Sequence, residues 1–232
     1  MKLSILVPVY NEEATVDALL ERVLAARVPV EKEVILVDDA STDGTTDRLK
    51  DFLSAHPDAP VRLIAHERNR GKGAAVHTAL AAATGEVALV QDADLEYDPA
   101  EYARLLEPIL DGRADVVFGS RFLGGPHRVH LFWHYLGNKF LTNVCNALFN
   151  VNLTDMETCY KVFRRDVLDG RTLRAERYGF DPEITARFCQ ARARIYEVPI
   201  SYSGRTYAEG KKITWKDGWV VLWTLLRCRL WG

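Results

Sequence analysis

Val87-Ala88-Leu89-Val90-Gln91-Asp92-Ala93-Asp94 is the stretch that decides the fold of this 232-residue chain. Four apolar residues without alternation read as a strand buried on both faces, and the residues that stop it are acidic. The same grammar recurs upstream, where Leu3–Val9 runs into Tyr10-Asn11-Glu12 and Glu33–Val37 into Asp38-Asp39-Ala40-Ser41-Thr42-Asp43. It recurs downstream where Val116–Phe118 runs into Gly119-Ser120-Arg121, and Val61–Ala65 supplies a further strand. Helical periodicity fills the intervals at Ala14–Ala26, Thr45–Ala55, Ala74–Ala83 and Pro99–Leu110. Strand–helix alternation with short connections predicts an α/β fold with a mostly parallel sheet covered on both faces. Ligands of such sheets sit beyond the carboxyl ends of the strands, where these polar residues collect.

After Ser120 the rhythm changes. Leu131–Asn150 reads as an amphipathic helix, Tyr160–Phe163 and Ile195–Ile200 as short strands, Pro182–Ala191 as a helix and Thr214–Leu230 as a last one. Hydrophobic residues at 48% and charged residues at 27% describe an ordinary globular chain and exclude disorder or a fibrous coil. Thirty basic and 32 acidic residues leave a formal charge of −2, which speaks against a dedicated nucleic-acid binder. That average hides an uneven end: from Arg187 onward nine basic residues face three acidic ones, and four of the five tryptophans fall there. Four dispersed cysteines without a Cys-x-x-Cys pair predict reduced thiols and no zinc site. The first apolar run stops at Asn11 and reads as a strand rather than a signal segment. No run approaches the ~18 apolar residues of a membrane span.

Each strand-end Asp, Asn or Ser taken singly reads as a cap or turn. Four such groups at one edge read differently, because gathered carboxylates repel unless a cation or sugar hydroxyls engage them. Gly71-Lys72-Gly73-Ala74-Ala75-Val76 lacks the third glycine of a dinucleotide fingerprint, and no phosphate-loop motif occurs. The stretch Asn69–Gly73 instead reads as a glycine-permitted turn into a helix start that can face phosphate.

Pro8–Glu12, Val37–Ser41 with Asp43, Asn69–Gly73, Asp92-Ala93-Asp94 and Gly119-Ser120-Arg121, in this order, resemble the family-2 glycosyltransferases of the GT-A fold. The pattern especially resembles the branch that moves sugar from a nucleotide to a polyprenyl (dolichyl or undecaprenyl) phosphate. Leu153-Thr154-Asp155, Phe180–Glu183 and Arg205…Lys211-Lys212 match more loosely. The resemblance implies a three-layer GT-A (Rossmann-like) sheet with C-terminal amphipathic helices. It divides the chain into a catalytic domain over 1–212, with a nucleotide-binding half (1–121) and an acceptor-binding half (122–212), and an amphipathic Trp-rich helix over 213–232.

The same resemblance implies site roles. Pro8, Tyr10, Glu12, Val37, Asp39, Lys72, Asp92, Ala93 and Asp94 are expected to bind the nucleotide sugar. Asp92, Asp94 and Glu96 are expected around Mg2+ or Mn2+, with Glu96 either a ligand or one step behind. Arg121, Arg128, Arg205, Lys211 and Lys212 are expected to meet donor or acceptor phosphate. Arg128 reads equally as a solvated surface residue, and Lys212 is preferred over Lys211. Asp94, Arg121 and Glu183 are the expected catalytic residues. Asp181 or Glu183 would be the base if a hydroxyl attacks, and a phosphate acceptor needs none. Inversion is the expected outcome, with UDP-glucose and GDP-mannose both acceptable donors and a lean to UDP.

Trp215, Trp219 and Trp223 form a helical stripe with Val220, Leu222, Leu226 and Leu230. Such a stripe reads either as core packing or as interfacial membrane contact, and the adjacent Lys and Arg favour the membrane. The expectation is a cytoplasmic protein, peripheral at the cytoplasmic membrane face. Two other readings remain: transfer to a soluble or glycan hydroxyl, and a nucleotidyltransferase or nucleotide-sugar binder. The absence of Gln-x-x-Arg-Trp argues against a processive synthase.

Overall fold

The computed structural model describes residues 1–124, 126–129, 131–206 and 215–231, with Trp215 and Lys216 described by their backbone alone. The alternating half folds as β1 (Lys2–Val9), α1 (Val16–Ala25), β2 (Glu31–Asp38), α2 (Thr45–Ala55), β3 (Val61–Ala65), α3 (Lys72–Ala82), β4 (Val87–Val90), α4 (Tyr102–Leu110) and β5 (Val116–Ser120). The second half adds α5 (Phe132–Phe149), β6 (Lys161–Arg164), α6 (Phe180–Gln190), β7 (Ile195–Pro199) and α7 (Trp215–Trp231). Seven strands make one sheet in the order β3-β2-β1-β4-β6-β5-β7.

All neighbours pair in parallel except β6, which runs antiparallel to both β4 and β5. This reversal brings the start of β6, at Lys161, to the edge where the parallel strands end. Residues of the second half thereby reach the same cleft as Asp92. Successive residues of β4 and β5 are buried without alternation, as strands covered on both faces must be. On one side α3 packs on β1 and β2 and continues through α6 to α5 and α7; α1, α2 and α4 form a second group.

α7 settles part of the stripe question. Val221, Thr224, Leu225 and Cys228, at i, i+3, i+4 and i+7, are buried against α5 and α6. Trp219, Val220, Trp223, Leu226, Leu230 and Trp231 lie on the outer side and are exposed. The N-terminal half of α5 likewise exposes Phe132, Trp133, Tyr135, Leu136 and Phe140. The described helices include none long and apolar enough to cross a membrane.

Candidate functional site

The cleft edge is rigid before any ligand enters it. Gln91, fully buried at the end of β4, accepts from the Tyr102 and Tyr160 hydroxyls at 2.7 Å each. Its amide donates to the Asp92 carbonyl at 2.8 Å, which fixes the backbone of the acidic pair. Asn11, Ala40 and Leu95 follow β1, β2 and β4, and each holds a left-handed φ of 52°, 58° and 61°. For side chains other than glycine this costs on the order of 1 kcal/mol apiece and concentrates where a loop must present its neighbours accurately.

Four charges alternate across the middle of the site. Lys72 Nζ stands 2.8 Å from Asp92 Oδ1 and 3.6 Å from Asp181 Oδ2. Asp181 in turn accepts at 2.7 Å from Lys161 Nζ, a fully buried ammonium that also donates to the Thr158 carbonyl. Burial opposes the charge on Lys72, yet Asp181 and Asp92 hold its pKa well above the ordinary lysine value. Burial likewise opposes ionisation of Asp181, but Lys161 and Lys72 depress its pKa. A carboxylate held by two ammonium groups is a poor base.

Beside this row, Arg205 gathers three carboxylates. Its guanidinium reaches Asp94 at 3.0 Å, Glu12 at 3.2 Å and Glu96 at 3.5 Å, and its backbone N–H donates to Glu96 at 2.7 Å. Tyr202 holds Glu96 from the other side, hydroxyl to Oε2 at 2.6 Å. Burial, with Asp92 and Glu96 nearby, pushes the Asp94 carboxyl up to about 7 despite Arg205. Among the described residues no three His, Cys, Asp or Glu side chains form a ready-made metal cage. A hard cation that keeps waters and shares phosphate oxygens needs only one or two carboxylates. The oxygen-only donors Asp92 and Asp94, crowded enough to draw a guanidinium, fit such an ion.

The structure places the remaining expected residues unevenly. Pro8 and Tyr10 border the cleft, Tyr10 being 37% exposed. Ala93 is buried, and its carbonyl accepts from the Thr15 hydroxyl at 2.8 Å. Val37 is fully buried in the sheet core and presents no side chain to a donor. Asp39 is also buried: its carboxylate accepts from the backbone N–H groups of Arg70 at 2.9 Å and Gly71 at 2.6 Å, and meets His66 Nδ1 at 2.7 Å. It shapes the Asn69–Gly73 turn. Gly71 holds φ +97°, and Cβ atoms at Gly71 and Gly73 would strike the Glu176 and Ala175 carbonyl oxygens at 2.6 and 2.1 Å.

Arg121 is locked in a bidentate pair with Asp155, Nε to Oδ2 and Nη2 to Oδ1 at 2.7 Å each, with Tyr202 beneath its guanidinium. The partner of the expected phosphate-binding arginine is thus a buried carboxylate of the chain itself. Arg128, exposed, donates to the Gly204 carbonyl at 3.3 Å. Glu183 does not stand in the cleft: fully buried, it accepts from the backbone N–H groups of Arg174 and Ala175 at 2.7 and 2.6 Å and from Arg227 at 3.2 Å. Its geometry is that of a loop anchor, since the 174–176 segment it holds packs on Gly71 and Gly73. Lys211 and Lys212 lie outside the described residues.

Sequence reasoning passed over Lys161, Tyr202, His66, Thr158 and Glu157. Lys161 carried a signal, a lone ammonium inside the apolar run Tyr160–Phe163, because a strand buries such a group only with a partner. Glu157 carried none. One of its oxygens is buried without a hydrogen-bond partner, and burial together with nearby Asp181 pushes its carboxyl up to about 8.

Comparison with known proteins places this geometry. The chain is 31% identical over 210 residues to an undecaprenyl-phosphate 4-deoxy-4-formamido-L-arabinose transferase of Aeromonas hydrophila subsp. hydrophila, covering 90% of this chain and 62% of that protein. It is 29% identical over 214 residues to a dolichol-phosphate mannosyltransferase of Pyrococcus furiosus, covering 91% and 59% respectively. The chain therefore spans about three fifths of the length of these curated relatives. Glucosyl-3-phosphoglycerate synthase of Mycobacterium tuberculosis, solved with Mn2+, UDP and phosphoglyceric acid, superposes with a TM-score of 0.76 at 20% identity, over 99% of this chain and 78% of that one. This likeness shows the shared GT-A architecture. Residues 4–171 match the family model "Glycosyl transferase family 2", and the chain belongs to that family.

Proposed function

We propose that the chain transfers a hexose from a nucleotide sugar to a polyprenyl phosphate at a membrane surface, with inversion and with Mg2+ or Mn2+. The observation that carries the reading is the convergence of Asp92, Asp94, Glu96 and Glu12 on Lys72 and Arg205 at the carboxyl edge of the sheet. Similarity to enzymes named for undecaprenyl phosphate and dolichol phosphate supports the acceptor class.

Asp92 and Asp94 would hold the divalent ion, which supplies neutralisation of diphosphate charge as the nucleotide leaves. Glu96, fixed by Tyr202 and Arg205, keeps Asp94 in place. Lys72, at the first turn of α3, orients Asp92 and sets an ammonium beside the expected diphosphate. Tyr10 is positioned to meet the base. Arg205, which neutralises Asp94, Glu12 and Glu96 here, would be available to turn its charge toward phosphate once a cation takes over those carboxylates. Arg121, held by Asp155, and Arg128 border the acceptor side.

The acceptor reading also rests on what is missing from the expected base. Glu183 is spent on the 174–175 backbone, and Asp181 is held by two lysines. An acceptor that is already anionic needs no proton removed. Exposed aromatic residues on α5 and α7 suit the level of lipid headgroups, which supports a peripheral membrane position.

The test offers UDP- and GDP-sugars with Mn2+ or Mg2+ to a short-chain polyprenyl phosphate and, in parallel, to soluble sugars. Lipid-linked hexose is the expected product. Glycosylation of the soluble acceptor alone would overturn the reading.

A further inference from the structure

A cavity of about 870 Å³ lies among the loop after β6, the C-terminal half of α6 and the outer end of α7. Arg171, Arg174, Arg187 and Arg227 line it with Trp223 and Trp231. Arg187 lies six residues beyond Asp181, about 9 Å along α6. Against the four guanidinium groups stand Asp169 on the lining and the buried Glu183, already engaged by two backbone N–H groups, by Arg227 at 3.2 Å and by Arg187 Nη2 at 3.9 Å. Two positive charges are left over.

Arg171, Arg187 and Arg227 are held in place, while Arg174 is exposed at the mouth. Arg187 is only 13% exposed; its Nη1 donates to Gln190 at 2.9 Å, while its Nε is buried with no hydrogen-bond partner. Arg171 donates to the Val167 and Asp169 carbonyls at 3.2 and 3.1 Å, which fixes its guanidinium at the rim. Preset guanidinium groups suit tetrahedral phosphate, to which they donate in pairs. The tryptophans add the second element: their rings lie 6.2 Å apart, 60% and 69% exposed, on the same outer face as Trp219, Leu226 and Leu230.

We propose that this cavity binds the phosphate of an anionic membrane lipid, with Arg171, Arg174, Arg187 and Arg227 around the headgroup and Trp223 and Trp231 at the acyl boundary. A soluble phosphate would have no use for two exposed indoles, whereas a headgroup carries acyl chains alongside them. The inference rests on the membrane contact in the proposed function and adds a lipid class: acidic phospholipids hold the enzyme in one orientation, through a site separate from the acceptor's.

The test compares sedimentation of the chain with vesicles of phosphatidylcholine alone and vesicles containing roughly one third phosphatidylglycerol, where each nearby cationic side chain raises partitioning about fivefold. Arg171→Gln/Arg174→Gln is expected to lose roughly 25-fold of binding on the anionic vesicles, about fivefold for each charge removed, and nothing on the neutral ones. Trp219→Ala is expected to weaken both. Transfer to a short-chain acceptor in detergent is expected to stay unchanged in the double arginine variant, so failure of the transferase reading and failure of this one are separable. Retention of the full phosphatidylglycerol gain by the arginine variant would overturn the proposal. So would thermal stabilisation of the parent, but not the variant, by inorganic phosphate without any lipid gain, because that outcome assigns the site to a free ion.

Discussion

Arg205 Nη2 stands 3.0 Å from Asp94 Oδ2, so a residue late in the chain neutralises the acidic pair that ends β4. The same guanidinium serves Glu12 and Glu96, and the three carboxylates are each less than one fifth exposed. Arg205→Gln leaves them facing one another. Removing one partner from a largely buried ion cluster costs about 3 kcal/mol. The loss is expected in urea denaturation at pH 8 and shrinks toward pH 5, where protonation relieves the repulsion. Millimolar Mn2+ is expected to raise Tm more in the variant than in the parent. An equal rise in both would show that the ion does not go to these carboxylates.

The pair behind it is more deeply buried. Lys161 Nζ has no solvent to fall back on when Asp181 becomes neutral, and Lys72 loses a partner in the same step. Asp181→Asn is therefore expected to destabilise by about 3–5 kcal/mol. Lys161→Met/Asp181→Asn removes the stranded ammonium as well, and in urea denaturation it is expected to be more stable than the single variant. Strict additivity of the two substitutions would show that the charges do not interact.

The strands and the polar groups at their ends were legible in the sequence because burial on both faces leaves a continuous apolar run and each run stops at the cleft. What the sequence could not show was the pairing across it. β6 has no local mark of running antiparallel, yet that reversal sets Lys161 beside Asp181. Asp39 and Glu183 looked like site carboxylates because Asp and Glu near a cleft serve ligands and backbone equally well; only the fold shows that Asp39 holds the Arg70–Gly71 turn and Glu183 the Arg174–Ala175 loop. The Trp stripe was visible, while which side of α7 would be covered depended on α5 and α6, distant in sequence.

Gly73 lets the 174–176 segment lie against the start of α3. A Cβ there would sit 2.1 Å from the Ala175 carbonyl oxygen, backbone that cannot swing aside. Gly73→Ala is expected to destabilise by about 2 kcal/mol or more, as overpacking does, and to weaken nucleotide-sugar binding by calorimetry, since Lys72 must shift. Gly112→Ala is the control: at φ +77° with nothing within 4 Å of its Cβ, it carries only local strain of about 1–2 kcal/mol. Donor affinity unchanged in Gly73→Ala would separate the turn from the site.

Trp133 and Trp219 are 77% and 66% exposed, on α5 and α7. Their replacement by alanine removes no buried contact, so Tm is expected to hold within a degree or two while flotation with liposomes falls severalfold. Undiminished flotation of the double variant would place the membrane contact elsewhere.

Glu157 provides a pH test away from the acidic pair. Asp181 from α6 and Asp155 from its own loop raise its pKa, whereas Lys161 from β6 and Arg121 after β5 lower it; with burial the largest influence, the carboxyl rests at about 8, above the ordinary 4.5. Below about pH 4.5 both folded and unfolded chains keep the proton. Between 4.5 and 8 the unfolded chain releases it while the folded chain retains it, so stability drains away as pH rises through that window and levels off above it. Glu157→Gln has no proton to release. Measured by urea denaturation at pH 5, 6.5 and 8, it is expected to gain roughly 1–3 kcal/mol on the parent from the lowest pH to the highest. Parallel pH profiles for the two proteins would mean that the Glu157 carboxyl ionises in the fold as easily as in water, and that its buried oxygen has a partner in solution.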